Sequence, residues 1–126
     1  MKALNIIESA YRATIEEQDD TIVWLTHAMK AAGADLAVLL HGNAVNYAAR
    51  GQDASGLAFG GWRQTQPPRV AEDIGSLVAK GVTVYVLAED LAQRGLEAGD
   101  LIPGLERVTR DNLPGLFAAH DQVWHW

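Results

Sequence analysis

Apolar residues fall along this chain in short continuous runs, separated by polar stretches and glycines. Ala3 to Ile7, Leu36 to Leu40 and Val82 to Leu87 are too short for helices and are interrupted only by Asn5 and Thr83. Each predicts a strand, and the unbroken run Leu36 to Leu40 suggests one buried on both faces, as in parallel sheets. Between them the apolar spacing becomes helical. Ile22, Leu25 and Met29 form a stripe widened by Trp24, in a helix that runs to Ala32 and stops at Gly33. His27 and Lys30 fall away from that stripe. Thr14-Ile-Glu-Glu17 has the spacing of a capping box, with Asp19 and Asp20 as a later alternative cap. Val70, Ile74, Leu77 and Val78 mark a helix over Val70 to Lys80, closed by Gly81. Leu91 to Arg94 reads as a short helix closed by Gly95, and Leu105 to Thr109 as a fourth strand. Asn112 to His120 reads as a last helix, with Asn112 as cap and Pro114 tolerated in the first turn. Val123 to Trp126 closes the chain as an edge strand. The alternation of strand and helix predicts an α/β fold with a parallel sheet and helices on both faces.

Two segments do not fit the alternation. His41 to Gly51 reads as a turn followed by a short helix. From 52 to 68 the chain is loop-like, which is long for a compact domain, and it carries Leu57, Phe59 and Trp62. Those side chains either pack back on the domain or cover a pocket or a neighbouring subunit, since leaving them in water is unfavourable. At 126 residues, 48% of them apolar, the chain is read as one domain over 1–126 with a core of its own. The net charge of −6 and the scattered basic residues argue against a nucleic-acid partner. No run approaches the roughly 20 apolar residues of a membrane span. The first residues turn polar too soon for a signal peptide, so a cytoplasmic address is expected.

Candidate chemistry gathers at the carboxyl ends of strands, where open α/β sheets place ligands. Leu87-Ala88-Glu89-Asp90 is one such tip. Its two carboxylates read as general acid and base, as a cation site, or as the caps and dipole partners that acids at a helix start most often are. His41 stands at the end of the second strand with Asn43, Asn46, Tyr47 and Arg50 nearby. It either takes up protons near neutral pH or satisfies turn amides. His120, Asp121 and His125 match no common zinc spacing and read as structural or surface residues. No phosphate-binding glycine loop or nucleophile elbow is present, and neither a bound metal nor a cofactor is expected. The chain has no cysteine.

Three segments resemble the DsrE/DsrF/DsrH-like sulfur-relay family. Ala37-Val-Leu-Leu-His-Gly-Asn-Ala-Val-Asn-Tyr-Ala48 is similar to the family's hydrophobic strand and following turn. Lys80-Gly-Val-Thr-Val-Tyr-Val-Leu-Ala-Glu-Asp-Leu-Ala-Gln-Arg-Gly-Leu96 is similar to its Gly-Val strand, which ends in a cysteine and is followed by Arg-Gly. His120-Asp-Gln-Val-Trp-His-Trp126 resembles its closing strand. The resemblance implies a flavodoxin-like three-layer sandwich with a five-stranded, mostly parallel sheet. It also implies a homo-oligomer, trimer or hexamer, working beside sulfur trafficking. Counting back from Arg94-Gly95, the family's reactive cysteine falls on Leu87, which has no nucleophile. Transfer of sulfane sulfur needs a thiolate, so the chain is not expected to form a persulfide. Two readings follow. One is a binding or assembly module that holds a small ligand or a partner sulfur carrier between His41–Arg50 and Leu87–Arg94. The other is an enzyme in which His41, Glu89 or Asp90 moves protons and Arg50 or Arg94 pairs an anionic substrate.

Overall fold

The computed structural model describes residues 1–12, 14, 19–52 and 55–126. Five strands form one parallel sheet: β1 (Lys2–Ile7), β2 (Asp35–Leu40), β5 (Thr83–Leu87), β6 (Glu106–Val108) and β7 (Gln122–His125). Their order is β6-β5-β2-β1-β7, with β1 paired to β2 and β7. Among the described residues, four α-helices join them: α1 (Thr21–Ala31), α2 (Val70–Ala79), α3 (Ala88–Gln93) and α4 (Leu113–Ala118). A 3₁₀ helix, Gly42–Ala48, follows β2. The three-layer α/β arrangement is the one expected, and β7 is the expected edge strand.

The apolar runs explain the layers. Alternate residues of the strands face opposite ways. Ala3, Ile7, Leu36, Val38, Leu40, Val84 and Val86 pack against Ile22 and Val23 of α1, Ile74 and Leu77 of α2, and Leu91 of α3. Leu4, Ile6, Ala37 and Leu39 face the other way and meet Leu113 and Leu116 of α4. Three helices thus share one face and the short α4 covers the other. The change of face falls between β1 and β7, since the helix after β1 lies on one side and the helix before β7 on the other.

Local chemistry sets the helix ends. Asp20 caps α1: its Oδ1 accepts from the N–H groups of Ile22 (2.8 Å) and Val23 (3.0 Å). Gly33 takes φ +90° just past the helix, as a left-handed end residue does. Of the anticipated capping box only Thr14 is described, and its hydroxyl donates to the Tyr11 carbonyl at 3.1 Å; Ile15 to Glu17 lie outside the described residues. Trp24 does not widen the buried stripe. It is 57% exposed, and Val23 and Thr26 pack inward with Ile22 instead. Asn112 does not cap α4; its Oδ1 accepts from the Thr109 N–H and hydroxyl, both at 2.9 Å, which closes a 3₁₀ turn before the helix. The segment 52–68 contains a small hairpin, β3 (Ala58–Phe59) with β4 (Trp62–Arg63), turned by Gly60-Gly61.

Two buried or crowded carboxylates give stability predictions. The other oxygen of Asp20 accepts from the buried Tyr47 hydroxyl at 2.5 Å. Burial, and then this bond to Asp20, push the Tyr47 phenol far above its usual range. Asp20→Ala removes a helix cap and leaves that hydroxyl without its acceptor, so stability should fall by about 2–4 kcal/mol. Urea unfolding checks this, and a loss within experimental error would contradict it. Asp73 on α2 is pushed up to about 6 by partial burial, then by the charge of Asp19 and a hydrogen bond shared with it, and by Glu72. A carboxyl raised on folding stabilises the native state when protonated, fully below its unfolded value near 3.8, and that gain is lost as pH rises through about 6. Asp73→Asn should therefore be more stable than the parent at pH 7, the advantage shrinking to nothing near pH 4, in urea titrations across that range.

Candidate functional site at the carboxyl edge of the sheet

Open α/β sheets bind ligands beyond the carboxyl ends of strands, where the connecting helices change face. Here that place lies between the ends of β1 and β7, beside the end of β2. The first residue after β1 is Glu8 and the first after β2 is His41, while His125 is the last residue of β7. Parallel register sets Ile7 beside Leu40 and Ile6 beside His125. The backbone then fixes the ends. The His41 N–H donates to Ile7 O (3.1 Å), the Glu8 N–H to Trp126 O (3.0 Å), and the Ala44 N–H to Glu8 O (3.1 Å).

Three side chains meet there. His125 Nε2 is 2.8 Å from Glu8 Oε2. His41 Nε2 is 3.1 Å from His125 Nε2 and 3.6 Å from Glu8 Oε2. Gly42 makes room for them: it sits at φ +57°, and a Cβ there would lie 3.1 Å from Glu8 Cγ. Burial lowers the His41 pKa, partly opposed by Glu8 and helped by His125, with Asp90 raising it and Arg110 lowering it. The ring is thus held toward its neutral form, with a lone pair available.

Asp90 lies behind His41 and is almost wholly buried. Its Oδ2 accepts from the Gly42 N–H at 2.6 Å and stands 3.8 Å from His41 Nδ1. Its Oδ1 is 3.4 Å from the Arg110 guanidinium. Glu89 accepts from the Arg110 N–H at 2.6 Å, with the Arg110 side chain 3.9 Å away. The carboxylate pair therefore ties the turn after β2 and the segment after β6 to the start of α3. Asp90 stands beside His41, and Glu89 is held by Arg110.

The other anticipated residues divide between core and clamp. Leu87 is buried at the end of β5. Tyr47 is in the core beneath Tyr11, whose N–H donates to its hydroxyl. Arg50 binds the Leu101 carbonyl through two nitrogens, at 3.0 and 2.7 Å. Arg94 bridges the Asp90 carbonyl (3.1 Å) and Asn43 Oδ1 (2.8 Å). The carbonyl of Asn46 accepts from the Gln52 amide at 2.9 Å. The two segments 41–50 and 87–94 are therefore laced to one another. Near the chain end, His120 Nδ1 bonds the Leu116 carbonyl (2.8 Å) and Asp121 accepts from the Lys2 N–H (2.7 Å). His125 is separated from both and joins Glu8 and His41 instead. Glu8 is the site residue that the sequence pattern did not bring forward. Its signal was position alone: it is the first polar residue after an apolar run.

Among the described residues, shallow grooves lie elsewhere, near the ends of the segment 52–68. One of about 340 Å³ is lined by Tyr11, Gln52, Pro68 and Val70, and one of about 420 Å³ by Asp19, Gln66, Arg69 and Asp73. Phe59 and Trp62 project from the hairpin, 66% and 48% exposed, with stacked rings 6.0 Å apart. No described helix is long and apolar enough to cross a membrane.

Comparison with known proteins agrees with this architecture. The chain is similar to the ychN protein from E. coli, with a TM-score of 0.71, 21% identity and full coverage of both chains. It is also similar to MTH1491 from Methanobacterium thermoautotrophicum, a protein of unknown function, with a TM-score of 0.62 and 12% identity over 98% of this chain and 96% of that one. No curated protein matches it. The model of the DsrE/DsrF-like family matches residues 2–124, and the chain belongs to that family.

Proposed function

We propose that this chain is a DsrE-like subunit that holds a small ligand or a partner sulfur carrier and does not itself carry sulfur. It assembles as a homo-oligomer, a trimer or hexamer, and works in the cytoplasm beside sulfur metabolism. One observation carries the reading: the tip of β5, where the family resemblance sets the reactive thiol, is occupied by the buried hydrocarbon of Leu87 in a chain without cysteine. A persulfide forms when a thiolate attacks sulfane sulfur, and no atom of this chain can take that part.

The engagement of the carboxylates supports holding over turnover. Glu89 and Asp90 are bound to backbone N–H groups and to Arg110, which suits an organised edge better than a proton shuttle. The exposed pair Phe59 and Trp62 supports assembly, since a neighbouring subunit would remove this aromatic surface from water.

A native mass spectrum of the purified protein, taken before and after incubation with a persulfide donor, tests the reading. We expect a discrete oligomer and no covalent gain of about 32 Da per sulfur atom on the chain. A stable adduct of that mass that can be passed to an acceptor would overturn the reading. So would a monomer at all concentrations.

A further inference from the structure

We propose that Glu8, His41 and His125 form a binding site for one divalent first-row transition-metal ion of the zinc class, with an open coordination position facing solvent. The inference goes beyond the assembly reading and does not rest on it.

The spacing fits. One ligand atom from each residue lies within 4.8 Å of the other two. The separations are 2.8, 3.1 and 3.6 Å. Ligands about 2.05 Å from a tetrahedral zinc stand about 3.3 Å from one another, so an ion fits among these atoms with sub-ångström movement. The chemistry fits as well. Without a cation, an Nε2 proton holds these atoms together only in pairs, at 2.8 and 3.1 Å. A cation satisfies all three at once and displaces that proton.

The surroundings suit a bound cation. A ligating imidazole usually gives its other ring N–H to a carboxylate or carbonyl, which fixes the tautomer. His41 Nδ1 faces Asp90 Oδ2 at 3.8 Å, and the Asp90 side chain is only 6% exposed. Asp90 is held in place by the Gly42 N–H and Arg110, so a fixed carboxylate stands behind the ring, while His41 Nε2 faces Glu8 and His125. The backbones of Glu8 and His41 are pinned by neighbouring strand ends, which reduces the ordering that binding would otherwise require. Two histidines and a carboxylate leave at least one position for water or a ligand. Glu8 and His125 side chains are each 53% exposed, so an ion can enter from solvent.

Cobalt(II) is the probe, titrated into the full chain without an affinity tag and followed by visible absorption and calorimetry. We expect one ion per chain, displaced by zinc(II). Glu8→Gln, His41→Ala and His125→Ala should each weaken binding at least about tenfold, while His120→Ala leaves it unchanged. Circular dichroism establishes that each variant is folded, and the exposed His125 provides the substitution least disturbing to the core. Absence of saturable binding in the parent chain would overturn the proposal. Equal binding in folded His41→Ala and His125→Ala, or loss in His120→Ala comparable to theirs, would also overturn it.

Discussion

Strand β1 has a hydrogen-bonded neighbour on each side and packed side chains on each face, so Ala3 to Ile7 all lose contact with water. Such a strand must be apolar in both directions. The polar residue within that buried run, Asn5, donates from its amide to the Thr26 hydroxyl at 3.1 Å. The chain can turn polar only where β1 leaves the sheet, and it does so at Glu8. Because β2 and β7 flank β1 in parallel, they end at the same edge, where His41 follows β2 and His125 ends β7. The meeting of these three groups follows from strand order and parallel direction.

That edge has two halves of different character. Around β5 it is filled and closed: Leu87 is buried, Asp90 and Glu89 bind backbone N–H groups, and Arg94 joins the two segments. Around β1, β2 and β7 it is polar and open to solvent. Asp90 connects the halves, since one carboxylate fixes the Gly42 turn and stands behind His41. The half that the family resemblance marks for thiol chemistry thus serves here as a support. The half beside it presents the side chains of Glu8, His41 and His125.

Much of this was legible in the sequence. Continuous apolar runs gave the parallel strands, and the spacing of Val70, Ile74 and Leu77 gave the long second helix. His41 was legible as a strand-end residue because the run before it is so plainly apolar. The adjacency of Glu8 and His125 was not legible. It depends on β7 pairing with β1, a contact across more than a hundred residues that no local pattern encodes. Trp24 misled because helical spacing marks a stripe without saying which neighbour covers its margin; α1 buries Thr26 there, where its hydroxyl meets Asn5. The small hairpin did have a signal in Gly60-Gly61 between Ala58-Phe59 and Trp62-Arg63, but strands of two residues are too short for periodicity to register.

The convergence of the three strand ends can be read directly from the titration of the His41 ring, followed by NMR in the parent chain and in single variants. His125 lowers the His41 pKa and Glu8 raises it. Removal of the first by His125→Ala should move the His41 midpoint up, and Glu8→Gln should move it down. A His41 midpoint indifferent to both substitutions would mean that the three groups do not share one place, and the account of this edge would fail.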